Sequence, residues 1–247
     1  VIVSVQNGLN EETIARMIGA ERTIGAVTRI SAALVGPGHV REMREPVPFG
    51  LGELDGQITA RLRRIAALME PAAPCELTDN IWGKLWSKLM LNAVVNPTCG
   101  VSGLTAGQAW EHPTGRRILF RVCQEGVAVG QALGIRFEPT GGLDMELVGS
   151  RDPALRPQIE EQVRQYARAS QLVQPSMLQD LSKGRRTEID YLNGYVVRKA
   201  REIGLAAPVN AALVRMVREI ETGQRPIAVE NLEELARQVE PALADAG

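Results

Sequence analysis

The sequence has few of the features that announce a metal, a membrane or a polyanion. Its three cysteines, Cys75, Cys99 and Cys123, are widely spaced, with no CxxC pair and no histidine beside any of them. This argues against a zinc site and against a disulfide framework, and fits a reduced, cytoplasmic compartment. Its two histidines, His39 and His112, are isolated, and a lone histidine is far more often structural or solvated than catalytic. An excess of positive charge is missing: 28 Lys+Arg stand against 29 Asp+Glu, a formal net charge of -1. That removes the broad attraction on which nucleic-acid and anionic-membrane binders rely, and leaves a small molecule as the expected partner. No apolar run approaches the roughly 18 residues of a membrane span, and no basic segment precedes a signal-type apolar stretch. There is no internal repeat, no low-complexity stretch and no initiator methionine. Val1–Val5 reads as a buried strand entered directly, so Val1 is expected to be an internal position of a longer gene.

What is present changes character near residue 78. Before it, β and α signals alternate. Strand 1–5 leads to a helix over 11–18, a β-rich run over 23–33 and a turn at Gly36-Pro37-Gly38. A strand pair over 39–42 and 46–49 follows, then a helix over 57–69 ended by Pro71, and a strand over 74–77. After it, apolar residues recur at helical spacing, predicting helices over 79–96, 114–133, 153–169, 176–182, 187–203, 208–222 and 229–239. The expected fold class is therefore α/β plus all-α, with domains at 1–78 and 79–247, the layout of a dehydrogenase whose substrate domain is helical. Trp82, Trp86 and Trp110 read as core or interface aromatics.

Within 79–96, Lys84, Lys88, Asn92 and Asn96 follow one another at four-residue steps and so share one side of a helix. Leu89, Met90, Leu91, Ala93, Val94 and Val95 make the second half of this helix apolar nearly all round, which predicts buried asparagines in need of partners. Two readings stand side by side: amides that cap or bridge neighbouring helices, or a polar site. A lysine beside two buried amides suits a substrate with a carbonyl to be protonated and a hydroxyl or carboxylate to be held. Asn96-Pro97 also reads locally, as a helix end before proline.

A second constellation runs from Pro175 to Gly194. One helix opens at Ser176 and another near Thr187, offering free amide donors for a carboxylate, with the Ser176 hydroxyl at the first and Glu188 able to meet a lysine. The alternative makes Ser176 and Thr187 plain N-caps, Thr187–Asp190 a capping-box variant and Arg185-Arg186 a solvated turn.

Gln6-Asn7-Gly8 after a strand, Lys88-x3-Asn92-x3-Asn96-Pro97, Ser176-Met-Leu-Gln-Asp180, Arg186-Thr-Glu-Ile-Asp190 and Asn193-Gly194 occur in one order across nearly the whole chain. Together they resemble the ketopantoate reductase family. The resemblance implies the C-terminal part of a Rossmann-type NADP-binding domain, followed by a helical substrate and dimerisation domain of the 6-phosphogluconate dehydrogenase C-terminal type. It implies NADPH-dependent reduction of 2-dehydropantoate to (R)-pantoate, on the way to pantothenate and coenzyme A, and it allows a homodimer. Lys88 matches the general acid. Asn7, Asn92, Asn96 and Ser176 match substrate-binding residues. Asn7 and Glu188 match positions beside the NADP(H) cofactor, and Ser31 aligns loosely with a further cofactor contact.

Two departures stand out. Some members carry Asn-Gly about ten residues past the helix-ending asparagine, where this chain has Ala106-Gly107, so one substrate hydrogen bond is expected to be missing. The family's glycine-rich dinucleotide turn is missing too. Gly50-Leu-Gly-Glu-Leu-Asp-Gly56 mimics it, but follows a proline-broken segment and puts acids where a pyrophosphate would lie. The rival expectations are a reductase of a related 2-keto acid and a non-catalytic remnant without its phosphate-binding half.

Overall fold

The computed structural model describes residues 1–30, 32–42 and 47–243, which divide into two compact units, Val1–Trp86 and Ser87–Gly247. The first holds β1 (Ile2–Ser4), α1 (Glu11–Ile18), β2 (Thr23–Val27), β3 (Ala32–Gly36), β4 (His39–Glu42), β5 (Phe49–Glu53), α2 (Ala60–Met69) and β6 (Cys75–Leu77). One sheet has the order β1-β2-β5-β6, parallel at both outer pairs and antiparallel between β2 and β5, while β3 and β4 form a separate hairpin. Ile24, Ala26, Phe49 and Leu51 of the central strands bury themselves against Leu62 and Ala66 of α2. The period-2 pattern of β2 and β5 meets the helical stripe of α2 there. Thr59 caps α2 by accepting from Leu62 N–H at 3.1 Å, so the helix starts at Ala60 and not at Gln57.

Several expectations change here. Val1–Val5 is not a buried strand: β1 lies at the sheet edge and only Ser4 of its residues is buried. The β-rich run over 23–33 is two separate strands. The partner of 39–42 is β3 and not the expected 46–49, and the later strand starts at Phe49 and runs to Glu53; Pro46 lies outside the described residues. Hence the GxGxxxG segment is no phosphate loop, because its first four residues are the buried strand β5. Gly52 and Gly25 face Ile81, and a Cβ on either would come within 2.7 Å and 2.6 Å of its side chain, so these glycines serve close approach of a helix to the sheet. Glu53 is buried and pairs with Arg61 through two hydrogen bonds, one at 2.8 Å, which hold its carboxyl below the usual range.

The second unit is helical: α3 (Ile81–Ser102, beginning in the first unit), α4 (Ala106–Glu111), α5 (Pro113–Ala132), α6 (Met145–Val148), α7 (Arg156–Ala169), α8 (Ser176–Ser182), α9 (Asn193–Glu202), α10 (Pro208–Glu221), α11 (Glu230–Gln238) and α12 (Glu240–Leu243). α5 forms its axis, touching α4, α6, α9, α10 and α11. Trp86 and Trp110 are fully buried, the latter edge-on to Phe120 with ring centroids 5.3 Å apart. His112 caps α5, its Nδ1 accepting from Gly115 N–H at 3.2 Å, which is a structural role.

The sequence missed α4, which opens with a capping box between Thr105 and Gln108. Its Gly107 is packed backbone to backbone with the end of α7: an added Cβ would stand 2.5 Å from the Ala167 carbonyl oxygen and 2.8 Å from Gln171 Cα. Gly107→Ala is therefore expected to cost on the order of 1–3 kcal/mol, since backbone on both sides leaves no rotamer to yield. Urea unfolding measures it, and an unchanged midpoint would show that α4 and α7 part easily.

Two predicted helices have different ends. The 187–203 segment breaks at Leu192, a 3-10 turn over Ile189–Tyr191 coming before α9. The predicted end at Asn96 is overrun: α3 continues through Pro97 to Ser102. Asn80 accepts from Gly83 N–H at its start, and Thr98 and Ser102 bond back to the carbonyls of Val94 and Thr98.

Candidate functional site

α3 is built to carry polar groups in an apolar setting. Its four-residue steps put Lys88, Asn92 and Asn96 on one side, as predicted, and the surrounding Leu89, Met90, Ala93, Val94 and Val95 are buried. Asn92 and Asn96 are 9% and 7% exposed and Lys88 is half-buried, so the amides are largely stripped of bulk water. Lys84 belongs to the first unit, where its Nζ pairs with Glu76 at 3.1 Å.

Two segments of the second unit come to this helix. Gly100, one turn past Asn96, lets α8 lie close: a Cβ there would meet Leu181 Cδ1 at 3.1 Å and Met177 Cγ at 3.4 Å. Ser176 is the first residue of α8 and exposed. It is not the N-cap, a position held by Pro175 without a side-chain bond. Glu188 is exposed just ahead of the 3-10 turn, where its carbonyl accepts from Tyr191 and Leu192 N–H. The Thr187 hydroxyl accepts from Ile189 N–H at 3.2 Å, a local turn and not the capping-box variant of the alternative reading.

The first unit carries Asn7 in the turn between β1 and α1. Gly8 supplies a φ of 81°, and the Asn10 amide donates to the Asn7 carbonyl at 2.9 Å. Ser31 lies outside the described residues.

Sequence reasoning gave no role to several buried polar groups. Glu11 is fully buried at the start of α1 beside Ser4, and burial pushes its carboxyl above the usual range. In the second unit Asn193, Asn210 and Glu125 form a chain with no access to solvent. Asn193 Nδ2 donates to the Ala93 carbonyl and to Asn210 Oδ1, both at 2.9 Å, and Asn210 Nδ2 donates to Glu125 Oε2 at 2.8 Å. Glu125 accepts further from Val209 and Asn210 N–H, each at 3.1 Å, and burial raises its carboxyl despite these bonds. Pro97 was the available signal, because an interior proline leaves a carbonyl one turn back that some donor must satisfy.

Chemically, the arrangement offers a cation and two buried amides, a set that can hold and polarise a small oxygen-rich molecule. Cysteine chemistry is disfavoured, since burial pushes the Cys99 thiol up to about 12 and raises Cys123 as well. Among the described residues, no cluster of His, Cys, Asp and Glu could hold a metal, and no helix is long and apolar enough to cross a membrane.

Comparison with known proteins agrees with this organisation. The family model described as "Ketopantoate reductase PanE/ApbA C terminal" matches residues 80–221, and "Ketopantoate reductase PanE/ApbA" matches residues 1–56. A 2-dehydropantoate 2-reductase of Archaeoglobus fulgidus is 29% identical over 225 residues, which cover 90% of this chain and 69% of that protein. A PanE/ApbA family ketopantoate reductase from Ralstonia eutropha JMP134 has a similar structure. It is 28% identical with a TM-score of 0.73, over 90% of this chain and 67% of that one. D-mandelate dehydrogenase, solved with NADH and anilino(oxo)acetate, shares the fold at 24% identity and a TM-score of 0.73, over 90% of this chain and 67% of that one. The fold is thus that of a Rossmann-like portion followed by a helical domain, and the chain belongs to the ketopantoate reductase PanE/ApbA family.

Proposed function

We propose that the protein carrying this chain reduces the ketone of 2-dehydropantoate to (R)-pantoate with NADP(H), as a cytoplasmic step toward pantothenate and coenzyme A. The observation that carries the reading is on α3: half-buried Lys88 in register with two buried amides, Asn92 and Asn96, inside the segment that matches the family. In this reading residues 1–78 are part of the NADP-binding domain and 79–247 the substrate domain, and the protein works as a homodimer.

The described residues offer the cofactor only part of a site. The GxGxxxG segment begins as a strand, and the β1-to-α1 turn has one glycine, Gly8, followed by Glu11 and Glu12, which disfavour a pyrophosphate. When bound, the cofactor would contribute a hydride. On the substrate side, Asn92 and Asn96 hold the hydroxyl and carboxylate oxygens, joined by the Ser176 hydroxyl from α8. Asn7, Ser31 and Glu188 lie beside the cofactor, and Glu188 steadies the lysine. Lys88 donates the proton. As negative charge grows on the ketone oxygen, the ammonium stabilises it more in the transition state than in the ground state.

A related 2-keto acid is the second reading, and α4 favours it. Ala106 and Gly107 are buried in packing against α7 and bring no polar side chain to a substrate. The test is nucleotide oxidation by the purified protein with 2-dehydropantoate and a panel of branched and aromatic 2-keto acids, under NADPH and NADH in turn. Selective consumption of NADPH with 2-dehydropantoate is expected. Higher kcat/KM on another 2-keto acid would select the second reading, and no turnover together with no binding of either nucleotide would mark a non-catalytic remnant.

A further inference from the structure

α3 is continuous through Pro97, although a proline inside a helix has no N–H for the carbonyl four residues back. That carbonyl belongs to Ala93, between the two site amides, and it is the one to which the Asn193 side chain donates at 2.9 Å. The hydrogen bond that α3 lacks is thus supplied by a residue of another helix. We propose that Asn193 is a positioning residue of the keto-acid site, setting the direction of the turn that carries Asn92 and Asn96; the role rests on the function proposed above.

The geometry suits a fixed support. Asn193 is fully buried, and its two amide hydrogens are both used, one on Ala93 and one on Asn210 Oδ1, which fixes the orientation of its carboxamide. Asn210 is held in turn by Glu125 at 2.8 Å, and Glu125 by two backbone N–H groups at the start of α10. The anchor is therefore a buried polar chain through α9, α10 and α5, held through every amide hydrogen of the Asn193 side chain although its Oδ1 has no partner among the described residues, and polar groups linked in this way resist rearrangement. Asn193 also follows Glu188 by five residues, across a 3-10 turn in which the Glu188 carbonyl accepts two N–H groups. One side chain consequently ties the helix bearing Lys88, Asn92 and Asn96 to the segment bearing Glu188. In an uninterrupted helix the Ala93 carbonyl would be satisfied within α3 and this tie would carry no load.

The test is a cycle of four proteins, wild type, Asn193→Ala, Pro97→Ala and the double variant, each assayed for kcat and for KM of the keto acid and of NADPH. Loss of one buried hydrogen bond at the site turn is expected to lower kcat/KM for the keto acid by about tenfold in Asn193→Ala, with KM for NADPH unchanged. Pro97→Ala restores a backbone N–H facing the Ala93 carbonyl, so the double variant is expected to recover most of that loss. Equal kinetics for Asn193→Ala and wild type would overturn the role. So would a loss that affects both substrates alike and is not relieved by Pro97→Ala. If Asn193→Ala does not fold, Pro97→Ala is compared with the double variant. Close kinetics between these two support the role, and a tenfold gap or failure of the double variant to fold overturns it. A wild type that turns over no 2-keto acid overturns the proposed function itself, a result distinct from an active wild type whose turnover ignores Asn193.

Discussion

If Lys88 is the general acid proposed above, Lys88→Ala is expected to lower kcat on the 2-keto acid by on the order of 10²–10⁴-fold and to leave KM for the same substrate within a small factor. The asymmetry follows from where the charge develops. Before hydride arrives the ketone is neutral and needs little from an ammonium. As the carbon is reduced its oxygen becomes an alkoxide, and the cation and its proton then matter most. Asn92→Ala and Asn96→Ala should show the opposite emphasis, with KM rising more than kcat falls, because in the proposed function their amides hold groups whose charge does not change in the reaction. Steady-state kinetics of the three variants decide this, and a Lys88→Ala enzyme with undiminished turnover would remove the residue from its role.

Glu125→Ala is expected to cost about 3–5 kcal/mol of stability, the range for removing one partner of a buried charged network. It strands three donors at once, the N–H groups of Val209 and Asn210 and the Asn210 side chain, and leaves Arg121 without the carboxylate now 3.7 Å from it. The pH dependence has a definite sign. Burial raises the folded-state pKa of Glu125 above the ordinary 4.5, so between the two values the folded protein binds more protons than the unfolded chain. The contribution from this group is fully present below about 4.5 and is lost as pH rises through the folded value. Glu125→Gln, neutral throughout, should therefore show a flatter stability curve than wild type as pH rises above about 4.5. Equal slopes in urea unfolding would mean that the carboxyl is ionised without penalty. Glu11, buried in the first unit, has the same sign, whereas Glu53, held down by Arg61, has the opposite one and loses its contribution as pH falls.

α1, α8 and α10 were readable because each carries its own boundary signals: acidic residues in the first turn of α1, and Pro175 and Pro208 at the starts of α8 and α10. The site stripe was readable for the same local reason, since four-residue spacing fixes a face whatever the helix packs against. The failures came where distant residues intervene. The sequence ended a helix at Asn96 because proline costs a hydrogen bond, and α3 continues because Asn193, nearly a hundred positions later, provides one. The sequence ended a strand at Phe49, yet Gly50-Leu-Gly-Glu continues it as a central strand, its glycines leaving the space that Ile81 and Lys84 fill. Ala106-Gly107 was read as a missing substrate contact, and its burial against α7 shows what the position does instead.

By itself the sequence determined the division into an α/β part and a helical part, the family motifs, and the burial of Asn92 and Asn96. The division and the burial depend on periodicity and composition within short windows, and the motifs on resemblance to a known family. Only the tertiary structure decided that α3 runs through Pro97, that α8 lies on it at Gly100, and that Glu125, Asn193 and Asn210 form one buried chain. Those features arise because a buried polar group must find its partner wherever the fold brings one, and sequence spacing does not encode that distance.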